Sequence, residues 1–444
     1  MSLVRAAALA ADGRAVLIAN PGTHQVLRWA DGGLSVFAGD GTPGDGGDGG
    51  PAARAQLRDP SGLAVDASGT VYIADAGNGT VRAVSPDGVV TRVAGTGGAG
   101  AGTGLALSVP VGQPTSVAAH GTDVYIVDDA GVQRLAGGRL ATVIPAGAGA
   151  VTIDGEQTAF YPDAVAVGAD GHLFVANSSP KQLIEAATTG AVVRHWDTYV
   201  TPAGLATAPD GAIVVGDYGA FAVGAITGGV LHQRTAFALG AVPGVNGAFR
   251  PSGVTVASDG TVYATTDGVN GGTDRSALVR IERDGAVHLL ASGPAPCTAS
   301  QLRLSVGSAV SEPTGQHSLS LVLANASATT CTLEGYPTIT LVDHVGAVLP
   351  FTYADRGDQV VTGAMPAPVM FPPGGSGYVT VNSYRCDLGD RGIAAELALT
   401  TPDGDGPLRV AVTDHPLAYC GPGDPGSTVS VSPVEPSFGA TLGG

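Results

Sequence analysis

Apolar and polar residues alternate along this chain in short runs, and glycine, proline, asparagine and aspartate cut the runs apart. The pattern is plainest at 59–95. There GLAVD leads into a turn at Ala67-Ser68-Gly69, and TVYIAD sets Val71 and Ile73 on one face and Tyr72 and Ala74 on the other. Gly77-Asn78-Gly79 turns the chain into TVRAV, and Pro86-Asp87-Gly88 turns it into VVTRVAG. Period-2 runs bounded by such residues predict antiparallel strands joined by tight turns, here four in one sheet.

The unit recurs. Proline-led strands open at QPTSVAA (113–119), YPDAVAV (161–167), TPAGLAT (201–207) and RPSGVTV (250–256). The prolines at 60, 114, 162, 202 and 251 are 54, 48, 40 and 49 residues apart. That suits one propeller blade of roughly 40–50 residues plus variable loops. A copy without the proline comes first, LVRAAALAADGRAVLIAN followed by QVLRWADGGLSVFAG. The second strand of successive copies ends in Asn20, Asp75, Asp128, Asn177 and Asp217, with Thr266 at that place in the sixth. One four-stranded sheet cannot bury both of its faces, so six copies predict a closed ring, an all-β six-bladed propeller over 1–293. Blade 1 begins with its own inner strand and blade 6 ends with its own outer strand, AVHLLAS. Closure is therefore expected from face-to-face packing of these two blades rather than from a shared one.

The pattern at 60–82, P-S-G-L-A-V-D-x-x-G-x-V-Y-I-A-D-x-G-N-x-x-V-R, resembles the NHL repeat. The preceding AGDGTPGDGGDGGPAARAQLRDP (38–60) is similar to the glycine-rich inter-blade segment of bacterial NHL-type propellers. The likeness is strongest in blade 2 and weakest in blade 5.

Composition changes at a Pro/Gly linker, 292–296. All four cysteines, Cys297, Cys331, Cys386 and Cys420, lie beyond it, among alternating runs such as HSLSLVLAN and GYVTVNS that predict a small β-sandwich over 294–444. No CxxC and no histidine at ligand spacing accompanies them, so two disulfides are expected rather than a metal site. Three pairings are open. The favoured one, Cys297–Cys331 and Cys386–Cys420, closes two loops of 34 residues. Chain-entropy arithmetic gives about 3.7 kcal/mol for each loop. The leading Cys297, the run at 323–346, FPPGGSGYVTVNSYRC (371–386) and Cys420 resemble the DUF4232 family of actinobacterial envelope proteins. That likeness implies a location more than an activity.

Charge narrows the partners. The chain carries 21 basic and 38 acidic residues, a net charge of −17, and both parts are acidic. Nucleic acid and anionic membrane are disfavoured. Only Lys181 is a lysine, which with abundant Ala, Gly, Val and Asp suggests a GC-rich, actinobacterial genome. No run approaches the roughly 18 apolar residues of a membrane span. The first residues are broken by Asp12 and Arg14 and read as blade rather than as signal peptide. Disulfides still imply an oxidising, extracytoplasmic compartment, with any leader or anchor outside these residues.

Candidate chemistry gathers at the channel mouth, where loops entering the inner strands meet those after the second strands. That face would collect Asp59, Gln113, Tyr161, Thr201 and Arg250, with Asn20, Asp75, Asp128, Asn177 and Asp217 from the strand ends. Convergent polar groups over a concave mouth make a ligand-binding site. A short acid or amide repeated by the fold also caps a turn with its side-chain oxygen, and capping is the preferred reading. Phe160 with Tyr161 and Tyr218 with Phe221 could stack on a sugar or peptide, or fill the packing between blades. A channel Ca²⁺ would need about six to eight oxygens, and Asp45 and Asp48 offer an acidic patch without EF-hand or RTX spacing. No cofactor is assigned beyond that candidate.

Catalytic sets are harder to place. The propeller glutamates, Glu156, Glu185 and Glu282, open no inner strand. Its histidines, His24, His120, His172, His195, His232 and His288, fall in turns or outer strands, His172 as a turn residue after Gly171. Neither the metal-dependent lactonase pattern nor the His/Glu set of virginiamycin-B-type lyases fits, and no GxSxG occurs. The sequence points to a monomeric, non-enzymatic binding or scaffold protein whose partner is a protein or glycan of the cell envelope. A metal-dependent lyase or hydrolase, and the sensor domain of a membrane receptor, are the alternatives. Alkylation without reductant should add no mass, and alkylation after reduction should add four adducts. Four thiols reacting without reductant would remove both the disulfides and the compartment they imply.

Overall fold

The structure, a computed structural model, describes residues 9–11, 15–98, 100–197, 202–217, 222–227, 230–236, 251–266, 276–282, 285–311, 316–355, 360–364, 366, 368–386, 389, 391–402, 404–412 and 417–442. The described elements are strands joined by turns and short 3-10 segments. Backbone contacts divide the chain into two compact units at Gly293/Pro294.

The first unit holds six antiparallel up-and-down sheets. Blade 2 runs through Pro60–Val65, Val71–Asp75, Thr80–Val84 and Val90–Ala94. Blade 4 runs through Pro162–Val167, Leu173–Ser178, Lys181–Ala186 and Val192–Asp197. Blade 3 gains a fifth strand, Gly104–Leu105, at its outer edge, and its inner strand is Ser116–His120, so Pro114 precedes the strand instead of opening it. A hairpin absent from the sequence reading, Gly147–Ile153 with Glu156–Phe160, lies between blades 3 and 4 in the chain. It fills a gap: Val151, Ile153 and Phe160 join the apolar layer shared by those two blades.

Each blade buries both faces because side chains alternate across a strand. Val71 and Ile73 pack with Leu17, Ala19 and Val26 of blade 1, whereas Ala74 packs with Val117, Val124 and Ile126 of blade 3. Inner strands crowd the axis. A Cβ on Gly62 would lie 2.8 Å from Ser116 Cα in the next blade. Hydroxyls stitch these strands together, Ser61 donating to Pro114 O at 2.7 Å and Thr207 to Val167 O at 2.6 Å.

The ring closes where Val16, Ile18 and Leu27 of blade 1 meet Leu278 of blade 6, with Trp29 and Tyr263 packed beside them at 6.4 Å between ring centroids. Blades 1 and 6 each keep a complete four-stranded sheet, so closure is by face-to-face packing as expected.

Between blades 1 and 2 the glycine-rich segment wraps a buried cation. Arg82 donates from Nη1 to Gln56 O at 2.6 Å, and from Nη2 to Gly46 O at 3.1 Å and Asp48 Oδ1 at 2.8 Å. The segment also hydrogen-bonds to blade 2, Ala52 N donating to Gly88 O and Gly49 N to Val90 O. A charge this deep is tolerated because several acceptors replace its water.

The second unit is a β-sandwich. A five-stranded sheet carries Leu302–Ser311, Gln316–Asn325, Ser376–Tyr384, Thr428–Val431 and Thr352–Ala354 in spatial order. A three-stranded sheet carries Thr338–Val342, Glu396–Thr400 and Leu408–Ala411. Leu319, Leu321, Leu323, Val379 and Val381 meet Ile339, Leu341, Leu397 and Leu399 in one apolar layer, with Phe351 and Phe371. Disulfides join Cys297 to Cys331 and Cys386 to Cys420. Among the described residues no helix is long and apolar enough to cross a membrane.

Leu278 is fully buried at the closure seam, so Leu278→Ala should destabilise the protein by about 2–5 kcal/mol in urea unfolding. A loss below about 1 kcal/mol would show that the seam is not a closed apolar layer.

Candidate functional site

Asn20, Asp75, Asp128 and Asn177 are buried at the ends of the second strands. Pro60 lies opposite Asp75, Pro162 opposite Asn177, Pro202 opposite Asp217 and Pro251 opposite Thr266, each followed by a register shift. A proline that begins a strand at a bulge costs no ladder bond. Asp75 Oδ1 accepts from Arg58 N at 2.7 Å, and its Oδ2 accepts from Asn78 Nδ2 at 2.8 Å. Asn177 works the same way, Oδ1 accepting from Tyr161 N at 2.7 Å and Nδ2 donating to Ala159 O at 3.1 Å. Asn20 donates to Thr23 Oγ1 at 2.7 Å. These side chains latch the chain entering a blade onto that blade or close the turn after its second strand.

Asp128 is held less completely. Its Oδ1 accepts from Ala130 N at 2.9 Å, while its buried Oδ2 has no hydrogen-bond partner among the described residues. Burial pushes both Asp75 and Asp128 up to about 6, against the hydrogen bonds that favour their charged forms. Arg82, with Nη1 3.8 Å from Asp75 Oδ2, also pulls Asp75 down.

Residues before the prolines are more open. Asp59 adopts a left-handed backbone, φ +48°, and its N–H reaches His24 Nδ1 at 3.3 Å. Gln113 N is 3.4 Å from Asp129 Oδ2. Tyr161 is 45% exposed, its carbonyl accepting from Ser178 N and Oγ, each at 3.0 Å. Phe160 is fully buried in the layer between blades 3 and 4, so of this aromatic pair Tyr161 faces solvent. Thr201, Arg250, Tyr218 and Phe221 lie outside the described residues, and of Asp217 only its backbone at the end of Ile213–Asp217 is described.

The acidic patch of the glycine-rich segment is engaged by arginines. Asp48 accepts from Arg82, and Asp45 Oδ2 is 3.5 Å from Arg92. Sequence spacing missed this because Asp48 and Arg82 are 34 residues apart. His172, expected as a turn residue, does sit in the turn, and its ring also reaches Glu185.

Residues 33–183 match the Teneurin NHL domain family and residues 297–435 match DUF4232, a domain of unknown function. No curated protein matches the chain. Among solved structures, a streptogramin B lyase is 14% identical with a TM-score of 0.44, covering 72% of this chain and 91% of its own. Virginiamycin B lyase from Staphylococcus aureus is 12% identical with a TM-score of 0.43, covering 73% and 94%. A gluconolactonase from Xanthomonas campestris is 14% identical with a TM-score of 0.31, covering 72% and 83%. Likeness at this level carries no information on activity.

An unfolded aspartate titrates near 3.9, below the folded value of Asp128. The protonated form is thus the one the fold prefers. Its contribution is complete below about pH 3.9 and is lost as pH rises through about 6. The stability of Asp128→Asn relative to wild type should move in the variant's favour by on the order of 2–3 kcal/mol between pH 4 and pH 7.5, read from urea melts. A flat or opposite trend would remove desolvation as the controlling force.

Proposed function

We infer that this is an extracytoplasmic binding protein of the actinobacterial cell envelope, acting as a monomer through the channel-mouth face of its propeller. One observation carries the reading. The buried polar side chains best suited to chemistry at that face, Asp75 and Asn177, are spent on backbone amides and carbonyls. What remains facing solvent is a presenting surface, with Tyr161 exposed and Asp59 and Gln113 at the entries of blades 2 and 3. An exposed tyrosine on a fixed backbone suits stacking on a sugar ring or a peptide. The acidic surface speaks against nucleic acid, and two disulfides support an oxidising compartment.

A hydrolytic reading is favoured by one feature, the incompletely bonded Asp128 beside Asp129. A raised carboxyl pKa is what a general acid or base requires. Asp128 is nonetheless deeply buried.

The purified protein should co-sediment with isolated actinobacterial cell walls, and Tyr161→Ala should weaken retention about tenfold with Tm unchanged. Failure to co-sediment would overturn the envelope partner. Turnover of a lactone panel that Asp128→Asn abolishes would replace the binding reading with the hydrolytic one.

A further inference from the structure

At the far end of the strands from the channel mouth, the turn of blade 4 carries a cluster that the fold does not require. Asp170-Gly171-His172 links Pro162–Val167 to Leu173–Ser178, with Gly171 at φ +85° and its N–H donating to Gly168 O. Asp170 Oδ1 accepts from His172 N at 3.0 Å. That bond is structural: blades 5 and 6 make it too, from Ala212 N to Asp210 Oδ1 and from Thr261 N to Asp259 Oδ1. An alanine or a threonine thus serves the turn as well as His172 does.

What blade 4 adds is a convergence of ligand atoms. Oδ2 of Asp170, free of the turn bond, is 3.5 Å from His172 Nδ1, and Glu185 Oε1 is 2.8 Å from the same nitrogen. One ligand atom from each of Asp170, His172 and Glu185 lies within 4.8 Å of the other two. Glu185 is a buried carboxylate on Lys181–Ala186, fixed opposite Phe174. Its other oxygen is 3.7 Å from Arg194 Nε, beyond hydrogen-bond reach, and the Arg194 guanidinium lies over the Trp196 ring.

We propose that Asp170, His172 and Glu185 bind one first-row divalent cation of the zinc class, with water completing its shell. One imidazole nitrogen and two carboxylate oxygens, with a position left for water, form a set suited to Zn²⁺. Tetrahedral bonds of about 2.0–2.2 Å hold ligand atoms about 3.3–3.5 Å apart. The pair Asp170–His172 already stands at that separation; Glu185 Oε1, at 2.8 Å from His172 Nδ1, would withdraw by roughly half an ångström or slightly more, and the three atoms already lie within 4.8 Å of one another. The imidazole gives up its Nδ1 proton to bind, to its own Nε2 when the ring is neutral and to solvent when it is cationic. The ion would tie the first turn of blade 4 to its third strand through side chains.

The test uses the full chain, stripped with EDTA and dialysed against micromolar Zn²⁺ at pH 7.5. One zinc per chain is expected by elemental analysis. Calorimetry should show affinity reduced at least about tenfold in His172→Gln and in Asp170→Asn. Asp170 is exposed and the amide keeps the turn acceptor, so Asp170→Asn reads the site without endangering the fold. No retained zinc, or retained zinc that Asp170→Asn and His172→Gln leave unchanged, would overturn the proposal. Neither outcome depends on what the channel mouth binds.

Discussion

The first unit depends on one constraint: every blade has two apolar faces and each must meet a neighbour. Alternation along a strand sends Val71 and Ile73 one way and Ala74 the other, so no blade can be removed without exposing two layers. The constraint reaches its limit at the seam, where a small group around Leu278, Val16, Ile18 and Leu27 does for blades 6 and 1 what larger layers do elsewhere. The same crowding reaches the axis, where glycine and hydroxyl residues let neighbouring inner strands approach and bond. The channel mouth is a by-product of that closure, and its buried polar groups answer first to the backbone around them.

Buried charge follows from the same geometry. Arg82 sits under the segment joining blades 1 and 2, its guanidinium surrounded by Asp48, Asp75 and the carbonyls of Gln56 and Gly46. The segment gains order from a cation that has no water left to turn to. A glycine-rich stretch that composition alone would describe as a loose loop thereby becomes a fixed wall over blade 2.

Local pattern made the blades legible, because alternation, turn glycines and recurring prolines act over a few residues. It foresaw the strand-end residues and, for Asp128, the local turn cap on Ala130 N, but not that Asp75 and Asn177 would reach back to the entry of their own blades. It did not foresee the hairpin of Gly147–Ile153 and Glu156–Phe160, whose purpose is visible only once the gap beside blades 3 and 4 exists. Nor could spacing bring His172 to Glu185. Thirteen residues separate them, and the two meet through the register of adjacent strands, in which Phe174 faces Glu185. Asp48 and Arg82 were equally out of reach, one in a loop and one in a strand interior. Cross-strand partners are set by tertiary pairing, which a single sequence does not display.

The latches of Asp75 and Asn177 span only 17 and 16 residues, from a blade's entry to the end of its own second strand. Each blade therefore sets its own starting point, whatever length of chain arrives from the blade before. Connecting segments can then lengthen, shorten or acquire a hairpin while strand registers stay in place. Evolution, or a protein engineer, is free to vary these connections as interchangeable inserts on a constant frame.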